Sequence, residues 1–372
     1  MNLLIAPFNT LVPRVKRFLQ VLFLLIVISF SPNILKAQNS QTFTVGSIEA
    51  KSGEKVSGSL IVEKGDDKDT FIPITIINGA KKGPVLTLNA GTHGTEYVSV
   101  VALQKILKEI DPKELSGTLI LVHIANIPAF FSRSVYISPV DNKNLNHVFP
   151  GKKEGTISER IAYTITHEII AKSDYLIDMH SGEFCHNLPY YSYFVYRSTD
   201  DEVSKKSLVI ARAFGNKYLF PLKHTEIDDT IQATCLDAVA FRRDIGTIVT
   251  ELGGQGIVTS SDVEIATKGI KNVMQTIGMF PGEPIIYNHH VYLTESRNIN
   301  SNYNGIYYPL VEKEQYVKKG TLLGYTTDYW GNILEEYYMP FSGLIASFTI
   351  GPVIIKGESV VYIAKINDKF ED

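Results

Sequence analysis

Four side chains in this sequence have types and spacings suited to chemistry on a metal ion. His93 and Glu96 stand three residues apart in the stretch Pro84 to Glu96, PVLTLNAGTHGTE. His180 follows the run DYLIDM, and Glu251 closes a short apolar run and leads into Gly253-Gly254. Gly91 and Gly94 permit a close bend of the backbone around His93, so an imidazole and a carboxylate can be aimed at one centre. Such ligands suit zinc, which takes imidazole nitrogen at ~2.0–2.1 Å and keeps an open position in catalytic sites. Two histidines and one glutamate as ligands, with a second glutamate as base, form a toolkit for metal-assisted amide hydrolysis. A lone His-x-x-Glu is usually a loop histidine followed by a helix-starting glutamate, so the weight rests on the other residues.

The elements that would position these groups follow from periodicity. Pro84 to Asn89 is a short buried strand, broken by the glycines; Val98 to Ile110 has helical spacing and closes at Asp111-Pro112. Gly117 to Ile124 is a second apolar run, so this strand–helix–strand order predicts a parallel pair joined by a right-handed crossover. His123, inside that run, is read as a satisfied core histidine. Asp174 to Met179 and Ile248 to Thr250 are further buried strands. They deliver His180 and Glu251 at their C-terminal ends, where open α/β sheets collect ligands. Ser158 to Ala171, Ser204 to Lys217 and Ser261 to Met279 read as helices, and Gln41 to Ile77 as short strands. Asn126 to Gly151 is long and non-periodic, which marks a functional loop.

Pro281 to Pro284 ends this pattern; beyond it only short strands and turns follow. The expected organisation is a signal peptide over 1–37, a catalytic domain over 38–286 and a small all-β module over 287–372. The expected fold is α/β, with a central sheet flanked by helices. Arg14, Lys16 and Arg17 precede a 13-residue run from Phe18 to Phe30, apolar except at Gln20 and Ser29, and then Ser31-Pro32 and Ala37. That layout predicts a secretory signal cleaved after Ala37, with an uncleaved anchor as the alternative. The protein is therefore expected to be exported, periplasmic or secreted, with no membrane span after cleavage.

The first 37 residues hold four of the 36 basic residues and none of the 39 acidic ones. The remainder thus carries 32 against 39, a net of −7, and no basic stripe argues for nucleic acid. Two cysteines, Cys185 and Cys235, do not make a disulfide framework. Pairing, two separate buried thiols, and Cys185 as a soft metal ligand all stay open.

Five motifs in order, GTHGTE (91–96), PVDNKNLNHVFPG (139–151), SERIA (158–162), DMHSGE (178–183) and TELGGQG (250–256), carry a resemblance. The sequence resembles the succinylglutamate desuccinylase/aspartoacylase family, zinc acyl-amide hydrolases that share the fold of zinc carboxypeptidases, which implies a mixed central sheet flanked by helices. The C-terminal stretch looks like that family's barrel-sandwich module. The resemblance implies one Zn2+ per chain on His93, Glu96 and His180, with Glu251 taking a proton from water and passing it to the leaving nitrogen. It implies a substrate-binding role for Asn146. Arg133 is the candidate for stabilising the oxyanion, with Tyr136 competing for that position and Asp178 a candidate partner of a ligand histidine. The family pattern usually has Asn-Arg before the aromatic-Pro-Gly; here Asn146-His147 stands instead. Histidine cannot make the bidentate fork of arginine, so an acidic substrate is not expected.

Tyr190, Tyr191 and Tyr193 are candidates to line a pocket, whereas Glu183 and His186 read as solvated loop residues. The resulting expectation is an exported zinc deacylase acting on an N-acyl amino acid or related small amide. The alternatives are a carboxypeptidase-like peptidase acting on short or cell-wall peptides, and a binding protein that keeps zinc without turnover. Assembly as a homo-oligomer stays open.

Overall fold

The computed structural model describes residues 41–228 and 230–370. The expected signal peptide over 1–37 lies outside the described residues. The order of the strands, more than their number, explains the site. The strand Lys81–Asn89 pairs in parallel with Ser116–Val122 on one side and Tyr175–His180 on the other. Tyr175–His180 pairs in parallel with Gly246–Glu251, and that strand pairs antiparallel with Tyr191–Tyr196. The sheet is therefore mixed, as the family resemblance implies. Its middle strands read as continuous apolar runs because both faces are covered.

Helices Tyr97–Glu109, Glu202–Phe214 and Ser260–Thr276 pack on one face. Leu86, Leu88, Leu103, Ile177, Ile248 and Ile270 interlock there, fully buried. On the other face Ile161, Ile165, Leu176, Leu236 and Val239 build a second core. The expected helix Ser158 to Ala171 is observed as Ile157–Thr164, a wider turn over Ile165–Ile169 and a tight turn over Ile170–Lys172.

Among the described residues after 287 the regular elements are all β-strands. The strand Val291–Asn300 pairs in parallel with Tyr218–Lys223, so it continues the central sheet, and Ser359–Asn367 and Gly343–Thr349 add to it in antiparallel fashion. A separate four-stranded antiparallel sheet holds Gly305–Pro309, Leu322–Thr327, Ile333–Tyr338 and Val353–Ile354. Tyr307, Leu323, Ile345, Val361 and Ile363 fill the core between them. Among the described residues no helix is long and apolar enough to cross a membrane.

Candidate active site

Three neighbouring parallel strands deliver the chemical groups to one edge of the sheet. Asn89 stands opposite Asp178 in register, and His180 opposite Glu251. The loop after Asn89 turns at Gly91, where φ is +68°, and at Gly94. A Cβ on Gly94 would lie 2.1 Å from the Ala129 carbonyl oxygen, so only glycine lets this bend press against the neighbouring helix Ile127–Ser132. Glu96 then caps the helix Tyr97–Glu109, but its side chain makes no capping bond, because both of its oxygens face histidines.

His93 Nδ1 lies 2.7 Å from one Glu96 carboxylate oxygen, and His180 Nδ1 lies 2.8 Å from the other. All three side chains are buried, and among the described residues they are the group whose donor atoms converge within 4.8 Å as a metal site requires. The opposite ring nitrogens are also held. His180 Nε2 meets Asp178 Oδ2 at 3.1 Å, and Asp178 Oδ1 accepts a bond from Asn89 Nδ2 at 2.7 Å. His93 Nε2 meets Asn144 Oδ1 at 3.1 Å, and that same oxygen accepts the backbone N–H of Asn146 at 2.9 Å.

Because Asn144 and Asp178 offer acceptors to Nε2, each imidazole turns Nδ1 to the centre. Two ring nitrogens facing one carboxylate call for positive charge between them, from protons or from a bound cation. The electrostatics show the demand for that charge. Burial works to lower His180, yet the carboxylates of Asp178 and Glu96 outweigh it and hold the imidazole well above its usual pKa. Burial works to raise Glu96, yet His93 and His180 prevail and bring it to about 2. The donor set, two nitrogens and one carboxylate, therefore fits a divalent cation of the zinc type.

These groups open into a cavity of about 440 Å³. Glu251 lines it, half-buried and with no side-chain hydrogen bond among the described residues. Burial, and then the charge of Glu96, push the Glu251 carboxyl well above the ordinary range, as fits a group that exchanges protons. Tyr136 also lines the cavity, edge-on to His93 with ring centroids 5.0 Å apart. Burial and the charges of Glu183, Glu96 and Glu251 push its phenol up, so it stays a donor. Asn146 lines the cavity and accepts the Leu236 N–H at 3.1 Å. Tyr191 and Tyr193 form one wall; Tyr190 instead bonds Asp262 at 2.5 Å.

Other residues take other places. Arg133 is exposed, closes the helix Ile127–Ser132 in a left-handed conformation, and is absent from the cavity lining among the described residues. His147 is exposed beside the site, and burial together with the His93 charge lowers its pKa. Glu183 and His186, expected as solvated loop residues, line the cavity instead. Glu183 is buried, lies 2.8 Å from His186 and accepts the Cys185 N–H, while His186 meets the Tyr136 hydroxyl at 3.3 Å. Cys185 and Cys235 are free thiols, and neither joins the metal-capable group. His123 bonds Thr75 at 2.8 Å, away from the cavity.

Residues 82–277, more than half of the chain, match the succinylglutamate desuccinylase/aspartoacylase catalytic domain. The chain belongs to this family. A family relative, the N-alpha-acetyl-L-2,4-diaminobutyric acid deacetylase of Halomonas elongata, is 28% identical over 303 residues, covering 80% of this chain and 86% of the relative. A solved succinylglutamate desuccinylase from a Silicibacter species superposes with a TM-score of 0.76 at 26% identity, covering 84% of this chain and 95% of that one. The product-bound ectoine utilization protein of Ruegeria pomeroyi gives the same TM-score, identity and coverages.

Asn144 was not singled out by sequence reasoning. Its signal is its place two residues before Asn146 in the family motif PVDNKNLNHVFPG.

Proposed function

We propose that this chain is an exported zinc-dependent deacylase that hydrolyses the amide bond of an N-acyl amino acid or a related small amide. The observation that carries the reading is the convergence of His93, Glu96 and His180 beside Glu251 at the end of adjacent strands, inside one cavity. A cavity of about 440 Å³ is of small-molecule size. The activity of the Halomonas elongata relative, removal of an acetyl group from an amino acid, supports the same class.

His93, Glu96 and His180 would hold the ion. When bound, zinc supplies Lewis acidity, polarising a water and the amide carbonyl. Glu251 accepts the proton of the attacking water at a carboxylate oxygen and delivers it to the leaving nitrogen. The Tyr136 hydroxyl, kept protonated, donates to the carbonyl oxygen as negative charge grows there. Asn146, fixed by Leu236, orients the substrate through its free amide hydrogens. No lysine or arginine lines the cavity among the described residues, so amides recognised through an acidic side chain are expected to be poor substrates.

The reading is tested with purified protein, metal analysis and a panel of acyl-amino acids and short peptides, assayed with and without chelator. Chelator-sensitive cleavage of acyl-amino acids is expected. Activity that survives full metal removal, or cleavage confined to peptides, would refute it. Export is tested by the N-terminal sequence of the protein recovered from the expressing cells, with cleavage after Ala37 expected.

A further inference from the structure

Two polar residues of the cavity wall, Glu183 and His186, take no part in the hydrolytic step, yet they are joined to one that does. Glu183 is only 6% exposed. One of its carboxylate oxygens lies 2.8 Å from His186 Nδ1, and the other accepts the Cys185 N–H at 2.8 Å. Burial works to raise the Glu183 carboxyl, yet the bonds from His186 and from the Cys185 N–H outweigh it and hold it below the ordinary range. The same His186 Nδ1 lies 3.3 Å from the Tyr136 hydroxyl oxygen.

The number of hydrogens fixes the direction of these bonds. An ionised carboxylate only accepts, so the proton between Glu183 and His186 sits on Nδ1. Nδ1 then has no lone pair to offer Tyr136, and its N–H is shared between the carboxylate and the phenol oxygen. Tyr136 therefore accepts on this side, and its own O–H is left to turn into the cavity that it lines. The backbone holds His186 in place for this. The strand His186–Asn187 pairs antiparallel with Gly343–Thr349, with His186 opposite Thr349. The His186 carbonyl accepts the Gln255 N–H at 3.1 Å, and a Cβ on Gly182 would lie 2.9 Å from that carbonyl oxygen.

We propose that Glu183 and His186 are positioning residues: Glu183 sets the tautomer of His186, and His186 turns the Tyr136 O–H towards the carbonyl oxygen of the bound amide. This rests on the deacylase reading above and goes beyond it, since the pair touches no reacting atom. An oriented donor counts most where negative charge develops, so the effect falls on kcat. Glu183→Gln reverses the chain of bonds. The Cys185 N–H claims the Gln carbonyl oxygen, the Gln NH2 faces Nδ1, and Nδ1 must then accept. His186 moves to the Nε2–H tautomer, and its bare Nδ1 draws the Tyr136 proton away from the substrate.

The test is a double-mutant cycle of Glu183→Gln and Tyr136→Phe in zinc-loaded protein, with Nα-acetyl-2,4-diaminobutyrate and Nα-acetylnorvaline as substrates. Tyr136→Phe should lose about 10²–10³-fold in kcat, the cost of one such donor. Glu183→Gln should lose about tenfold or more in kcat, with KM changed less, and about twofold or less once Tyr136 is already Phe. His186→Asn, whose amide can donate from the place of Nδ1, should keep most of the kcat that His186→Leu loses. Histidine 15N NMR reads the tautomer without turnover: His186 should carry a proton on Nδ1 in the wild type and lose it in Glu183→Gln. An unprotonated Nδ1 in the wild type, His186→Leu as active as wild type, or an equal loss from Glu183→Gln with and without the Tyr136 hydroxyl overturns the proposal. Should neither amide be cleaved while the spectra show the tautomer and its reversal, the deacylase reading falls and the assignment of Glu183 and His186 stands.

Discussion

At the scale of single residues, the site is a matter of which nitrogen of each histidine faces the centre. Asn144 and Asp178 fix both rings with Nδ1 turned inward, and neither would ligate the metal itself. His180→Ala should abolish stoichiometric zinc, read by metal analysis of the purified protein; retention of zinc would refute the ligand set. Asp178→Asn keeps the volume but weakens the grip on His180, and zinc affinity should drop by about 10–100-fold in a chelator competition. Glu251→Gln should keep zinc and the fold while losing about 10²–10⁴-fold in turnover, since Gln cannot accept the proton. His93, Glu96, His180 and Glu251 were legible because each sits in a short motif beside glycine. Asn144 was not, because an asparagine in a polar loop looks like any other until its carbonyl is seen against an imidazole. Glu183 was misread for the opposite reason: its neighbours Phe184 and Cys185 are exposed, yet its own side chain turns inward to His186.

At the scale of elements, the site depends on three parallel strands ending together. The backbone links after them hold that edge: Gly182 N–H donates to the Gly253 carbonyl at 2.9 Å, and Leu252 N–H to that of His180 at 3.0 Å. Strand identity could be read from apolar runs, and the parallel pairing from the intervening helix. The antiparallel insertion of Tyr191–Tyr196 beside Gly246–Glu251 could not, since pairing between distant segments leaves no local pattern. The break after Thr164 in the helix Ile157–Thr164 was also hidden, because Ile165, Ile169 and Ile170 continue the apolar pattern through it. The bend at Gly94 is the element most exposed to a single change. Gly94→Ala places a methyl against the Ala129 carbonyl, a backbone group with no side-chain freedom to move aside. We expect a loss of about 1–3 kcal/mol in thermal or denaturant unfolding, with weaker zinc binding, since His93 follows the displaced bend. An unfolding midpoint and zinc affinity equal to wild type would show that the helix Ile127–Ser132 yields instead.

At the scale of the whole molecule, the residues after 287 matter to the site in a way that composition could not reveal. Their strands extend the central sheet, and Asn298, Ser347, Ser359 and Tyr362 form part of the cavity wall. Leu293, Leu344 and Ala364 pack with Tyr191, Tyr218 and Phe220, so the aromatic strand beside Glu251 is buried from this side. Tyr362 is the piece most easily tested. Its ring stacks on Phe220, with centroids 5.7 Å apart, and its hydroxyl bonds Ser296 at 2.7 Å. Tyr362→Ala would remove a rigid wall on the substrate side while leaving His93, Glu96, His180 and Glu251 in place. Zinc content should therefore be kept, and the stability loss should fall within about 1–3 kcal/mol. The kinetic signature should be a KM raised more than kcat falls, because the lost contact serves the bound amide and its transition state alike. Tyr362→Phe, which keeps the ring and drops only the hydroxyl, should stay close to wild type in KM. If Tyr362→Ala leaves KM unchanged across the amide panel, the C-terminal strands support the sheet without shaping what the cavity accepts.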